Sequence, residues 1–346
     1  MSERELKDLN DVKEFSITKD RKLFSATSEE IEQGLTTDIY FIKTREILEK
    51  LGHSDTKVVA EVFASSPGIV AGIDEALNLL KTKEVKVWAL EEGAKIEKKE
   101  VVMRIEGSYN DFGIFETAIL GTLANSSGWA TAAKECKEAA GEKPMLCFGA
   151  RHVHPAVAPV MERAALIGGA DGASCILGAK ATGQEPAGTV PHALILTVGD
   201  TLEVAQAYHD LMPENEPRTI LVDTFQDEAV ESLRLAKELK ANLDGIRLDT
   251  ASERGGVTPG LLKEVRARLD QAGYEHVNIF ISGGLTPARI KEFDKLGASG
   301  FGVGSYISSA KAINMTMDLK EVAGQPIAKR GRIPGITNNP RLKRRI

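Results

Sequence analysis

Apolar and polar positions follow different rhythms in the two halves of this chain. Residues 1–30 are charged and weakly patterned, which predicts an arm or a surface helix. Thr36 to Leu51 reads as a helix, with Asp38 near its start and Gly52 as its stop. KVVAEVFA (57–64) has the look of a strand, IDEALNLLK (73–81) of a helix, and KVWAL (86–90) of a strand closed by the acidic turn Glu91-Glu92-Gly93. VVMRIEG (101–107) is a further strand, and FETAILGTLANSSGWATAAKECKEAAG (115–141) one long helix or a pair. Strands clustered among helices predict an α+β domain up to residue 110.

Beyond that point short apolar runs rich in β-branched residues alternate with helical patterns. The predicted strands are MLCFGA (145–150), GASCIL (172–177), ALILTVG (193–199), RTILVDT (218–224), GIRLDT (245–250), VNIFISGG (277–284) and GFGVGSYI (300–307). Good helices lie between several of them, such as Asp227 to Leu239 and Pro259 to Ala272. Continuous apolar strands imply burial on both faces and hence a parallel sheet. The repetition, with no Gly-x-Gly-x-x-Gly turn opening it, favours an incomplete, irregular (β/α) barrel of about seven strands over an open sheet.

Composition narrows the function classes. In 346 residues, 50 acidic side chains outnumber 44 basic ones, giving a formal charge of −6. A mildly acidic body is a poor match for sequence-independent nucleic-acid or anionic-membrane binding, since both need basic surface. The charge is uneven: residues 329–346 hold seven basic groups and no acidic one. The apolar stretch Ile114 to Ala133 is broken by Glu116, Asn125, Ser126 and Ser127, so no membrane span is expected. Three scattered cysteines, Cys136, Cys147 and Cys175, argue against a disulfide framework or zinc cluster and for the reducing cytoplasm.

Working residues of a βα barrel sit at the carboxyl ends of its strands. Those ends supply Arg151, Thr197, Asp223, Arg247 with Asp249, Ser282-Gly283-Gly284, and Gly302-Val303-Gly304-Ser305. Glycine lets backbone N–H groups approach phosphate, and SGGLTP leads into the helix pattern PARIKEFDKLG, so these last two turns are candidate phosphate sites. Asp223 and Asp249 could hold Mg²⁺, accept from sugar hydroxyls, or cap helices. Arg247 shares a face with Asp249 and suits a bidentate grip on a carboxylate or phosphate, or an internal salt bridge. His152 and His154 share a face but lack further metal ligands, and His192, opening the predicted strand 193–199, is either a structural residue or a catalyst.

Nine segments in order carry a resemblance. TTDIY (36–40), VWALEEG (87–93), FETAILGTLANSSGWATAA (115–133), RAALIGGADGAS (163–174), GTVPHALI (188–195), LVDTFQDE (221–228), IRLDT (246–250), SGG (282–284) and GVGS (302–305) resemble type II phosphoribosyltransferases, with nicotinate phosphoribosyltransferase the nearest match. PIAKRGRIPG (326–335) is similar to the family's C-terminal signature. The resemblance implies an arm (1–30), an N-terminal α/β sandwich-like domain with connecting helices (31–135), an incomplete, roughly seven-stranded α/β barrel (136–310), and a C-terminal segment (311–346) that returns to the N-terminal domain and ends in the basic tail, in a homodimer or larger oligomer with shared active sites. It implies a reaction of nicotinate with 5-phosphoribosyl 1-diphosphate, giving nicotinate mononucleotide and diphosphate for NAD synthesis, with Mg²⁺ and with ATP as co-substrate. ATP hydrolysis would run through a phosphorylated histidine, which the Gly-Thr-x-x-His pattern places at His192.

By the same carry-over Tyr40 stacks on the pyridine ring of the neighbouring subunit's site, and Thr189 and Arg247 contact nicotinate. Arg151 meets the diphosphate or the substrate carboxylate, and Asp223 and Asp249 hold ribose hydroxyls or Mg²⁺. Ser282, Gly283, Gly284, Gly302, Gly304 and Ser305 hold the 5′-phosphate. This chain departs from the family at Gly172-Ala173-Ser174, commonly Gly-Thr-Ser, and at His152, where many relatives have a second arginine. The alternatives are quinolinate phosphoribosyltransferase, which usually has Thr-Arg-Lys-Thr at Ala150-Arg151-His152-Val153, a nicotinamide enzyme, and a non-catalytic barrel that binds phosphorylated metabolites. A nucleic-acid contact by the basic tail is a further, weaker alternative.

Overall fold

A computed structural model describes residues 5–18 and 21–346. Part of the expected arm, residues 1–4 and 19–20, lies outside the described residues; the rest holds two short helices, Leu9–Glu14 and Ser28–Glu32. The chain divides into two compact units, one made of the residues through Thr131 together with Lys311–Ile346, the other of Ala132–Ala310.

The first unit is built on a six-stranded antiparallel sheet. Its order is Gln325–Pro326, Met315–Val322, Lys57–Ala64, Val101–Ser108, Val85–Ala89 and Lys343–Arg344. Lys57–Ala64 is central and buried at every residue but the first. Fully buried Phe112, Phe115, Ile73, Leu80 and Ile119 pack in the same core. The helix Ile73–Leu80 forms as expected, and Glu92 of the acidic turn caps its start by accepting from the N–H groups of Gly72 and Ile73, both at 2.8 Å. Those are orphan donors that any helix start must satisfy.

The basic tail is absorbed by this sheet. Lys343–Arg344 adds an edge strand beside Val85–Ala89, and Leu342 and Ile346 pack on the core. Arg341 pairs with Glu100 at 2.6 Å and Lys343 with Glu91 at 2.5 Å. Deeper in, the buried Glu61 takes Arg104 at 2.8 Å and the Thr337 N–H at 3.1 Å, pinning the returning segment. With Arg332 paired to Asp318 at 2.9 Å, three of the seven basic groups of the tail are held in ion pairs.

The second unit has a parallel sheet with helices between its strands, the barrel-like arrangement expected. Its order is Gly172–Ala173, Met145–Cys147, Gly300–Val303, Asn278–Ser282, Gly245–Leu248 and Thr219–Leu221. Helices start as the caps dictate: Asp227 caps Glu228–Leu239, Thr258 caps Pro259–Gln271, and Thr286 caps Pro287–Asp294.

One expected strand is absent among the described residues. ALILTVG, with Thr197, forms the helix His192–Val198 instead. Pro191 precedes its first turn, and Gly199, at φ 94°, ends it by donating to the Ile195 carbonyl. Ile195 is fully buried while Leu196 is 59% exposed, so the run is not sandwiched between two layers as a central strand would be. GASCIL likewise yields only the short strand Gly172–Ala173 before the helix Ile176–Lys180.

Candidate functional site

Period-two alternation along Gly245–Leu248 and its continuation turns Arg247 and Asp249 the same way. Arg247 donates from Nε to Ser282 Oγ at 2.8 Å, from one terminal nitrogen to Thr189 Oγ1 at 3.0 Å, and from the other to Asp249 Oδ2 at 3.2 Å. Its guanidinium lies 5.1 Å from the centroid of the Phe148 ring. Burial lowers the Arg247 pKa from its ordinary value, against the opposite pull of Asp249 and Asp223, and the charge of Arg151 adds to the lowering. Arg151 and Arg247 therefore act in one electrostatic field.

Arg247 looks into a cavity of about 280 Å³, also lined by Phe148, Thr189, Phe280, Ser282 and Phe301. The cavity combines apolar rings with a few convergent polar groups, the usual make-up of a small-molecule site.

His192 opens its helix beside this cavity. Its Nδ1 is 3.0 Å from Thr224 Oγ1, and its Nε2 is 3.8 Å from Asp249 Oδ2 and 3.9 Å from Asp223 Oδ1. Asp249 above all raises the His192 pKa. The two aspartates are pushed apart. Burial holds the Asp223 carboxyl above its usual range, whereas at Asp249 the same burial is outweighed by His192 and Arg247 and the pKa falls. Asp223 is 2% exposed; its Oδ2 accepts from the Asp249 N–H at 3.0 Å, and its buried Oδ1 has no hydrogen-bond partner. Neither aspartate caps a helix; Asp227 and Ser252 begin the elements that follow.

The two glycine turns come together at neighbouring strand ends, since Ser282 registers with Gly302. Gly283 and Gly284 adopt φ of 88° and 58°, where a side chain would be strained. Arg289 donates to both of their carbonyls, at 3.4 and 3.1 Å, and to the Val257 carbonyl at 2.7 Å. A Cβ on Gly304 would stand 2.9 Å from the Phe148 carbonyl oxygen and 3.0 Å from His152 Nε2. The Ser282 hydroxyl is engaged by Arg247, and Ser305 starts the short helix Ser305–Ser308.

Other expected residues fall elsewhere. Tyr40 belongs to the first unit, on the helix Ile39–Lys50, where it is exposed and donates to Asp38 Oδ2 at 3.2 Å. Arg151 is exposed with Nε 3.4 Å from His152 Nε2, and His154 accepts from the Ala156 N–H. Sequence reasoning missed Phe148, Arg289 and Glu162. Only Arg289 left a signal, as the cation two residues into the helix after the glycine turn.

Residues 38–127 match the N-terminal domain of quinolinate phosphoribosyl transferase, and residues 129–318 match its C-terminal domain. The chain belongs to the quinolinate phosphoribosyl transferase family. The solved structure of nicotinate-nucleotide pyrophosphorylase from Pyrococcus furiosus is 45% identical at a TM-score of 0.87, covering 91% of this chain and 82% of that one. A nicotinate phosphoribosyltransferase of Mycobacterium tuberculosis is 32% identical over 246 residues, 67% of this chain and 51% of the relative. A decarboxylating quinolinate phosphoribosyltransferase of Nicotiana glauca is 27% identical over 290 residues, 80% of this chain and 77% of the relative. The chain thus spans about half the length of the nicotinate phosphoribosyltransferase it matches.

Membership in this type II family agrees with the resemblance, but it corrects the finer expectation. An ATP-coupled nicotinate phosphoribosyltransferase, with ATP as co-substrate and His192 as phosphoryl acceptor, is overturned by the quinolinate family match across both domains and by the Pyrococcus relative. Among the described residues no group of three or more His, Cys, Asp or Glu could hold a metal ion; Mg²⁺ on a pair such as Asp223 and Asp249 would draw its other ligands from water and substrate phosphates. No helix among the described residues is long and apolar enough to cross a membrane.

Proposed function

We propose that this protein is a decarboxylating quinolinate phosphoribosyltransferase, converting quinolinate and 5-phosphoribosyl 1-diphosphate into nicotinate mononucleotide, carbon dioxide and diphosphate. The observation that carries the reading is Arg247, stacked on Phe148 in an aromatic cavity with His192, Asp223 and Asp249 beside it. Membership in the quinolinate family and the 45% identity to the Pyrococcus pyrophosphorylase support it.

In this reading the two carboxylates of quinolinate meet two cations, Arg247 in the cavity and the exposed Arg151, whose charge is felt at Arg247. Ring stacking against Phe148 and the Arg247 fork orient the pyridine nitrogen. The nitrogen attacks C1′ of the sugar as diphosphate leaves with the C1′–O bonding pair. The transition state is cationic at the sugar, so carboxylates there stabilise it electrostatically. Asp223, with one buried oxygen unpartnered, and Asp249 are assigned to the ribose hydroxyls. The C2 carboxylate then departs as carbon dioxide, its bonding pair staying on C2 beside the cationic nitrogen, and C2 takes up a proton. His192, held toward its protonated form, is assigned as the donor. Backbone N–H groups at Gly283, Gly284, Gly302 and Gly304 are assigned to the 5′-phosphate.

Purified protein given phosphoribosyl diphosphate with quinolinate, nicotinate or nicotinamide, each with and without ATP, tests this. Carbon dioxide and nicotinate mononucleotide should appear from quinolinate without ATP. Product from nicotinate with none from quinolinate would overturn the reading.

A further inference from the structure

Glu162 contributes nothing to the cavity lining, yet it ties together two of the turns that frame the site. It sits on the helix Ala158–Ile167 and is 0% exposed. Its Oε1 accepts from the N–H groups of Gly149 and Ala150, at 3.1 and 3.0 Å, and from the Ser174 hydroxyl at 3.0 Å. Its Oε2 accepts from the Cys175 N–H. Gly149 and Ala150 follow the strand Met145–Cys147, while Ser174 and Cys175 follow its parallel neighbour Gly172–Ala173. One carboxylate therefore holds the carboxyl ends of two adjacent strands.

Burying a carboxylate is costly unless hydrogen bonds replace its water. A side chain needed only to fill this space would be apolar, as Met161 beside it is. Space around Glu162 leaves little room for a looser arrangement. A Cβ on Gly178 would stand 3.2 Å from the Glu162 Cβ and 3.1 Å from the Pro159 carbonyl oxygen, and one on Gly149 would stand 2.7 Å from Met161 Cε. The first clamped turn runs on into Arg151 and His152, and both the Phe148 carbonyl and His152 Nε2 abut Gly304.

We propose that Glu162 is a positioning residue for the phosphoribosyl diphosphate end of the site. It fixes the 149–152 turn against the Gly302–Ser305 turn, so that Arg151 and the glycine N–H groups face the anionic donor substrate. The inference rests on the proposed function only in taking phosphoribosyl diphosphate as a substrate, not in which pyridine accepts it.

Binding of phosphoribosyl diphosphate alone, by titration calorimetry, separates the two. Glu162→Gln preserves size but places an amide N–H₂ where one carboxylate oxygen accepts. Displacing the turn by a fraction of an ångström should weaken donor binding by about tenfold or more, with the KM of the pyridine substrate within about threefold of normal. Ser174→Ala removes one of the four donors and leaves the carboxylate; it should weaken donor binding by about threefold and lower the melting temperature only modestly. The second variant decides the matter if the first does not fold. Unchanged donor affinity in Ser174→Ala, or equal losses for both substrates in a folded Glu162→Gln, overturns the proposal. Failure of the wild-type protein to bind phosphoribosyl diphosphate would instead refute the proposed function.

Discussion

Replacing Arg247 by lysine keeps the charge and removes the fork. The arginine now spans Ser282, Thr189 and Asp249 at 2.8 to 3.2 Å and sits 5.1 Å from the Phe148 ring centroid, which lysine cannot reproduce from one nitrogen. Losing one of two charge-assisted hydrogen bonds to a substrate carboxylate costs about 2 kcal/mol, and losing the ring contact about 0.5–1 kcal/mol more. At 1.36 kcal/mol per factor of ten, kcat/KM for quinolinate should fall about 10²-fold. The KM for phosphoribosyl diphosphate should stay within about threefold. Steady-state kinetics with each substrate varied at saturating levels of the other provides the readout. Arg247→Met is the contrast, since the arginine charge lowers the His192 pKa and its removal should move any His192-dependent limb to higher pH; Arg247→Lys should leave that limb in place. Retention of kcat/KM by Arg247→Lys, or equal losses for both substrates, refutes carboxylate recognition by the fork.

Two further predictions concern pH. His192 is raised above its ordinary 6.5 by Asp249, so its imidazolium is complete below that value and is lost as pH rises through the higher folded value. If the imidazolium donates the proton, kcat falls over that upper window and the limb vanishes in His192→Asn; an unchanged limb in the variant would remove the assignment. Glu116, in the first unit, is pushed up to about 7 mainly by burial, with Tyr109 3.4 Å away pulling the other way. The folded protein therefore holds this proton more tightly than the unfolded chain, and stability from Glu116 is lost as pH rises from about 4.5 to 7. Thermal melts of Glu116→Gln should show a flatter decline over that window than the wild type, and parallel curves would contradict the burial argument.

How far the chain can be read without its structure depends on what each pattern encodes. Strands such as Asn278–Ser282 and helices such as Glu228–Leu239 stand out because period and cap agree. ALILTVG does not, because seven apolar residues fit a buried strand or two helical turns equally well. What decides it is outside the run, in Pro191 before and Gly199 after, together with the exposure of Leu196. Met315–Val322 carries strand-like alternation, but nothing local says that its partner is Lys57–Ala64 near the other end of the chain. The basic tail shows the same limit. Its charge suggests a polyanion until Glu91, Glu100 and the edge of a sheet are placed beside it.

The site divides along a similar line. Residues at strand ends are legible because the barrel rule converts sequence position into location, and Arg247, Asp249 and Asp223 do gather around His192. Glu162 is not legible, since a glutamate on a helix reads as a solvated face unless the four donors converging on it are known. His192 marks the deeper limit. Its residue type announces reactivity, but an imidazole can accept a phosphoryl group, donate a proton or support a neighbour, and only its surroundings choose among these. Two carboxylates within 4 Å of Nε2 raise its pKa, Asp249 more than Asp223, while Thr224 Oγ1 holds Nδ1 at 3.0 Å. The chemistry at this position is therefore set by Asp223 and Asp249 as much as by the histidine.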